Sequence, residues 1–197
     1  MTSSKKVNLA VLRKRLAPWE HVGFKVWKTG ALVYGNLETG RINGWLHVVF
    51  PPIPDVNMKR VTDEVTFIKD YGYLNILGGI NGAMLFSGML KLYGVHAKGS
   101  ALGGPGIPLN IFAENVNFTR HVERHDGLVF GSAMFAPILR LYIETRSGEI
   151  LSVDEETSDI AHRWPDFDTF FWREIDRLEG HLGPDGHVVD PQAAAKY

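Results

Sequence analysis

The sequence predicts a single α+β domain, a mainly antiparallel or mixed sheet with helices packed on it. Three observations lead there. A length of 197 residues suits one large domain. Short apolar segments follow one another across tight Gly- and Asn-containing turns, the pattern of hairpins. Segments of helical periodicity interrupt them without a sustained strand–helix–strand alternation, which argues against a doubly wound parallel sheet.

The elements follow in order. Leu9, Leu12 and Leu16 form one stripe over residues 7–16, and Pro18 ends that helix. Strands are expected at 23–27, 31–34 and 42–50, separated by Lys28-Thr29-Gly30 and by a turn from Asn36 to Gly40. Pro51-Pro52 closes the third strand. Asp55 or Asn57 then caps a helix reaching Ile68, with Met58, Val61, Val65 and Ile68 at helical spacing. A second helix runs from Tyr71 to Leu77 and stops at Gly78-Gly79. Asn81-Gly82 is the strongest turn dipeptide, because both residues tolerate positive φ. Strands at 83–86 and 89–93 follow, divided by Ser87-Gly88.

Residues 97–108 are glycine-rich and read as a loop, with Pro108 the first residue of a helix to Val116. Strands at 127–133, 137–145 and 149–153 come next; the last two form a hairpin across Arg146-Ser147-Gly148. Asp166 caps the clearest helix, in which Phe167, Phe170, Phe171, Ile175 and Leu178 share a stripe and Gly180 ends the run. The tail from His181 is expected to be exposed and partly disordered.

Composition excludes several function classes. The chain has no cysteine, which removes disulfides, thiolate nucleophiles and cysteine-bound metals. The polar N-terminus leads into no signal-like apolar run, and nothing approaches the ~18 apolar residues of a membrane span. A cytoplasmic location is therefore expected. A net charge of −1 gives no global attraction to nucleic acid. The charge is uneven, however. Seven basic residues stand against one acid between Lys5 and Lys28, and eleven acids against four arginines between Glu144 and Glu179. These segments are binding faces, solvated surface, or two faces that attract each other.

No motif reads as an active site, and no cofactor is expected. His121 and His125 are spaced i, i+4, but Glu123 does not directly follow the first histidine as a zincin helix requires. Gly99, Gly103, Gly104 and Gly106 suggest a phosphate cradle, yet Pro105 and Pro108 remove amide donors from it. No serine sits in a Gly-x-Ser-x-Gly elbow. Asp154, Glu155, Glu156 and Asp159 lie in one loop, where hydrated, mutually repelling carboxylates form an acidic patch and not an acid–base pair.

Three stretches carry a family resemblance. The first is Phe50-Pro51-Pro52-Ile53-Pro54, then a helix, then the run from Asn81 through Leu92-Tyr93-Gly94. The second runs from Leu109 to Arg120. The third is Leu141 to Leu151 with Ile160-Ala161 and the closing helix from Asp166 to Phe171. Taken together, these stretches resemble the SUKH superfamily, the Smi/Knr-type domain of fungal cell-wall regulators and bacterial toxin-immunity proteins. The likeness covers roughly residues 48–180. Asp70-Tyr71-Gly72-Tyr73 replaces the family's usual Leu-Pro-x-x-Tyr, and Asp166 replaces its usual serine. Residues 1–48 form an N-terminal helix and strands of the same domain, 49–182 the SUKH-like core and 183–197 a flexible tail.

The resemblance implies a domain without catalytic apparatus that binds a protein. The expected activity is that of an immunity protein, neutralising a cognate toxin of nuclease or deaminase type, with no membrane association and no direct nucleic-acid binding. Asp154, Glu155, Glu156 and Asp159 are the candidate partner-binding residues, since a nuclease cleft is basic. Two alternatives stand beside this: a regulatory interaction module without a toxin, and a small-ligand-binding protein using the glycine loop with His96 and His121. Trp19, Trp27, Trp45, Trp164 and Trp172 would anchor an interface if exposed.

Overall fold

A computed structural model of the chain describes residues 6–35, 44–54, 58, 70–95, 107–135 and 138–194. Within them nine strands form one sheet whose spatial order is the order of the sequence, each neighbouring pair antiparallel. The strands are β1 (Phe24–Val26), β2 (Leu32–Tyr34), β3 (His47–Val49), β4 (Ala83–Leu85), β5 (Leu90–Leu92), β6 (Gly127–Phe135), β7 (Ile138–Thr145), β8 (Ile150–Asp154) and β9 (Ile160–Trp164). The helices are α1 (Leu9–Leu16), α2 (Tyr73–Leu77), α3 (Ile111–Asn117), α4 (Thr119–His125), α5 (Phe167–Glu179) and α6 (Pro191–Ala194), with a 3-10 turn at Ala17–Val22. The fold is α+β, as the hairpin pattern predicts.

Capping fixes where the helices begin. Asn8 accepts the Val11 N–H (3.0 Å) to start α1, and Asp166 accepts that of Thr169 (2.7 Å) to start α5. Asn110, not Pro108, opens the α3 helix, its side chain accepting from Phe112 N–H at 2.9 Å. The helix expected between Asp55 and Ile68 lies outside the described residues apart from Met58, and so do His96 and residues 97–106.

The apolar stripe of α5 is buried as the spacing requires. Phe170 packs against Tyr142 (ring centres 4.6 Å), Trp164 (5.1 Å) and Phe130 (5.5 Å), joining β6, β7, β9 and the helix in one aromatic core. Alternation along β2 and β3 turns Val33 and Val48 to the other face, where they form a second buried cluster with Ala31 and Phe50. Trp27 and Trp45 pack against that cluster, and Trp164 is buried in the main one, so these indoles are largely structural.

Buried polar groups hold the connections. Asn81 donates to the Val95 carbonyl (2.9 Å) and accepts from the Val95 N–H (2.7 Å), so the Asn81-Gly82 turn staples the approach to β4 onto the end of β5. Asn115 does the same for the bulge in β6: its Nδ2 donates to the Val129 carbonyl (2.7 Å) while its Oδ1 accepts the Val129 N–H (3.0 Å). Glu144, buried in β7, accepts the N–H groups of Gly72 (3.1 Å) and Tyr73 (2.8 Å) at the start of α2. Burial raises its carboxyl above the ordinary value, and those two amides pull the other way.

The uneven charge is partly spent within the molecule. Arg15 of α1 bridges Asp176 (2.8 Å) and Glu179 of α5, and the Val7 N–H reaches Asp168 (3.0 Å). Residues 183–194, expected as a flexible tail, make contacts with the body of the domain. Val189 N–H donates to His181 O (2.9 Å), Gly186 at φ +81° lies against Leu46, and Ala194 is buried with its carbonyl accepting from Arg177. The Gly183-Pro184-Asp185-Gly186 turn folds the segment back, with Gly186 N–H donating to Gly183 O (3.0 Å).

Candidate partner-binding surface

The two features singled out by charge and histidine spacing meet in space. Residues 119–125, to which the sequence reading assigns no element, form α4, and the β8–β9 loop folds against that helix. Asp154 organises the loop. Its Oδ1 accepts the N–H groups of Glu156 and Thr157, both at 3.0 Å, and its carbonyl accepts that of Ser158 (2.8 Å). The Thr157 amide, then that of Glu156 and the Arg140 guanidinium, hold its carboxyl below the usual carboxylate range.

Arginines far away in sequence answer the acids. Arg120 lies 3.1 Å from Glu155, Arg124 3.4 Å from Asp159, and Arg140 of β7 3.9 Å from Asp154. Glu156 is exposed. Four acids in sequence become, with three arginines, a nearly charge-balanced ridge. The Arg120–Glu155 and Arg124–Asp159 pairs are exposed enough that each contributes under about 1 kcal/mol to stability.

His121 and Ser158 form the arrangement closest to a catalytic pair, with Ser158 Oγ 2.7 Å from His121 Nδ1. Geometry assigns its role. Arg120 Nε–H donates to His121 Nε2 at 3.0 Å, which consumes the ring's lone pair and leaves the proton on Nδ1. Nδ1–H therefore donates to the serine oxygen, the reverse of what a general base does. Ser158 N–H is bound to Asp154 O, and Asp159 N–H to Thr157 Oγ1 (3.1 Å), so neither amide is left to stabilise an oxyanion. Burial, with Arg120 next, pushes His121 below its ordinary value. His125 Nε2–H donates to the Ser158 carbonyl (3.0 Å), so both histidines hold the loop. Among the described residues no cluster of three His, Asp or Glu side chains is placed to hold a metal.

Exposed apolar side chains flank the loop. Met134 near the end of β6 and Ile138 at the start of β7 are 42% and 38% exposed, and Ile160 at the start of β9 is 37% exposed. The Glu155 N–H donates to Leu139 O (3.0 Å), which sets the hairpin end beside the loop. Sequence reading found the four acids and both histidines. It missed Arg140, which reaches Asp154 across the β7–β8 pair, and Arg120, Arg124 and Ser158, whose roles appear once residues more than thirty positions apart are adjacent.

Among the described residues no helix is long and apolar enough to cross a membrane. No protein-family model, curated protein or solved structure matches the chain.

Proposed function

We propose that the chain is a non-enzymatic protein-binding domain, a cytoplasmic immunity protein of SUKH type that binds and neutralises a cognate toxin of nuclease or deaminase type. The observation that carries this reading is the pre-shaped β8–β9 loop, locked to α4 and edged by exposed Met134, Ile138 and Ile160. A rigid ridge mixing apolar and charged side chains loses little conformational entropy on docking. The exposed Glu156 and the rim carboxylate of Asp159 would steer a basic partner and raise the rate of encounter more than the final affinity. The motif resemblance over residues 48–180 supplies the partner class. The Ser158–His121 pair, with its proton on the wrong nitrogen for attack, fits a binding role better than a hydrolytic one.

The test is a tagged pull-down from the native lysate, with identification of what co-purifies. A stoichiometric toxin-like polypeptide, whose association slows several-fold at low salt when Glu156 is changed to Lys, supports the proposal. A different host protein moves the reading to a regulatory module. Recovery of no partner from a lysate that contains the toxin counts against immunity.

A further inference from the structure

The sheet order leaves β1 at one edge, with β2 as its sole strand neighbour. The bonds flanking the pair fix which way its backbone faces. Gly35 N–H donates to Gly23 O (2.7 Å) and Trp27 N–H to Ala31 O (2.9 Å), so residues 23, 25 and 27 turn their backbone groups toward β2. By alternation, the N–H and C=O groups of Phe24 and Val26 point outward. Among the described residues they meet no backbone partner, and the Val26 side chain is 56% exposed.

The same edge is basic. Arg13 lies over the Phe24 ring at 5.7 Å, Lys25 belongs to the strand, and Lys28 is exposed in the turn that follows. Among the described residues none of these three forms an ion pair. Glu20 is the one acid between Lys5 and Lys28. A lysine on an edge strand ordinarily blunts pairing. Here the Lys25 ammonium is folded onto the indoles of Trp27 (4.8 Å) and Trp45 (4.4 Å), off the line of approach to the edge.

We infer that β1 is a docking edge for an acidic, extended segment of a partner polypeptide, which pairs with the outward backbone groups of Phe24 and Val26 and sets its carboxylates against Arg13 and Lys28. The alternating donors and acceptors select the class of occupant. An added peptide strand answers both, whereas a phosphate backbone only accepts. A second copy of this chain fits poorly, because it would bring two cationic edges together. The inference does not rest on the toxin reading, which concerns the loop beyond β8, at the other end of the sheet order.

The experiment is an amide-NMR titration of the full chain with a capped peptide of about eight alternating Val and Glu residues, at low salt. Binding that perturbs Phe24 and Val26, and weakens about tenfold in Val26→Pro, is the expected result. Proline there removes an outward N–H and leaves the β2 ladder untouched. Lys28→Glu, in an exposed turn, should weaken the same binding about fivefold and guards against misfolding of the proline variant. Failure of the Val–Glu peptide to bind at millimolar concentration, equal binding of a Val–Lys peptide, or equal binding by Val26→Pro with its spectrum otherwise intact would each overturn the inference. So would a single-stranded oligonucleotide that competes with the peptide and binds Val26→Pro equally well.

Discussion

His47, at the start of β3, is fully buried, and this ties the protein's stability to pH. Its Nδ1 accepts the Phe86 N–H at 3.2 Å, so the neutral ring carries its proton on Nε2, which has no partner among the described residues. The rings of Phe86 (4.9 Å), Trp19 (6.1 Å) and Tyr34 (6.2 Å) surround it. Burial alone pushes its pKa from 6.5 down to about 3, with no charged neighbour contributing. The unfolded chain therefore takes up a proton near pH 6.5 that the folded chain refuses. Stability from this residue is complete above that value and is lost as pH falls from 6.5 towards 3. The gap corresponds to about 5 kcal/mol in all, of which about 3 kcal/mol is gone by about pH 4.5. The control is His47→Asn, whose Oδ1 can accept the Phe86 N–H and does not titrate. Urea unfolding followed by tryptophan fluorescence, from about pH 7.5 to about pH 4.5, should show the wild type losing its advantage over the variant by that amount. Parallel curves for the two proteins would refute the reasoning.

Two further outcomes follow from buried polar groups. Asn115→Leu strands the N–H and C=O of Val129 at the β6 bulge and should cost about 3 kcal/mol in urea unfolding, while an equal change at exposed Asn117 costs under about 0.5 kcal/mol. Glu174→Leu removes the carboxylate that Arg177 (2.8 Å) and the Tyr142 hydroxyl (3.1 Å) both use; it should cost about 3 kcal/mol in thermal unfolding, and Glu174→Leu with Arg177→Met should recover part of the loss.

Some of this was legible in the sequence because local signals agreed with the tertiary result. The α5 helix has a cap, a stripe and a stop, and the β7–β8 hairpin has the tight turn Arg146-Ser147-Gly148 between apolar strands. The failures share a cause. Residues 119–125 of α4 carry one apolar side chain, Val122, and the helix is tied down by Arg120, His121, Arg124 and His125 to a loop more than thirty positions later. β9 lies at an edge of the sheet, and of its residues only Trp164 is buried, so no alternating apolar pattern marks it. The Phe86-Ser87 turn places two non-glycine residues at φ +54° and +56°, which no turn propensity suggests, with the buried His47 holding the first of them. The acidic loop was visible as composition, whereas its neutralisation by Arg120, Arg124 and Arg140 depends on packing alone.

The meander order of the sheet carries a consequence for synthesis. A strand emerging from the ribosome finds the strand it must pair with already made, so pairing can advance along the nascent chain with short loop closures. The clasp of α1 to α5 obeys the opposite rule: Val7 waits 161 residues for Asp168, and Arg15 the same span for Asp176. The first helix made can meet Gly79, whose carbonyl accepts the Leu9 N–H, early in synthesis, but its clasp closes only after α5 has emerged, and a nascent chain stalled before Asp166 holds that helix without its ion pairs for as long as the stall lasts.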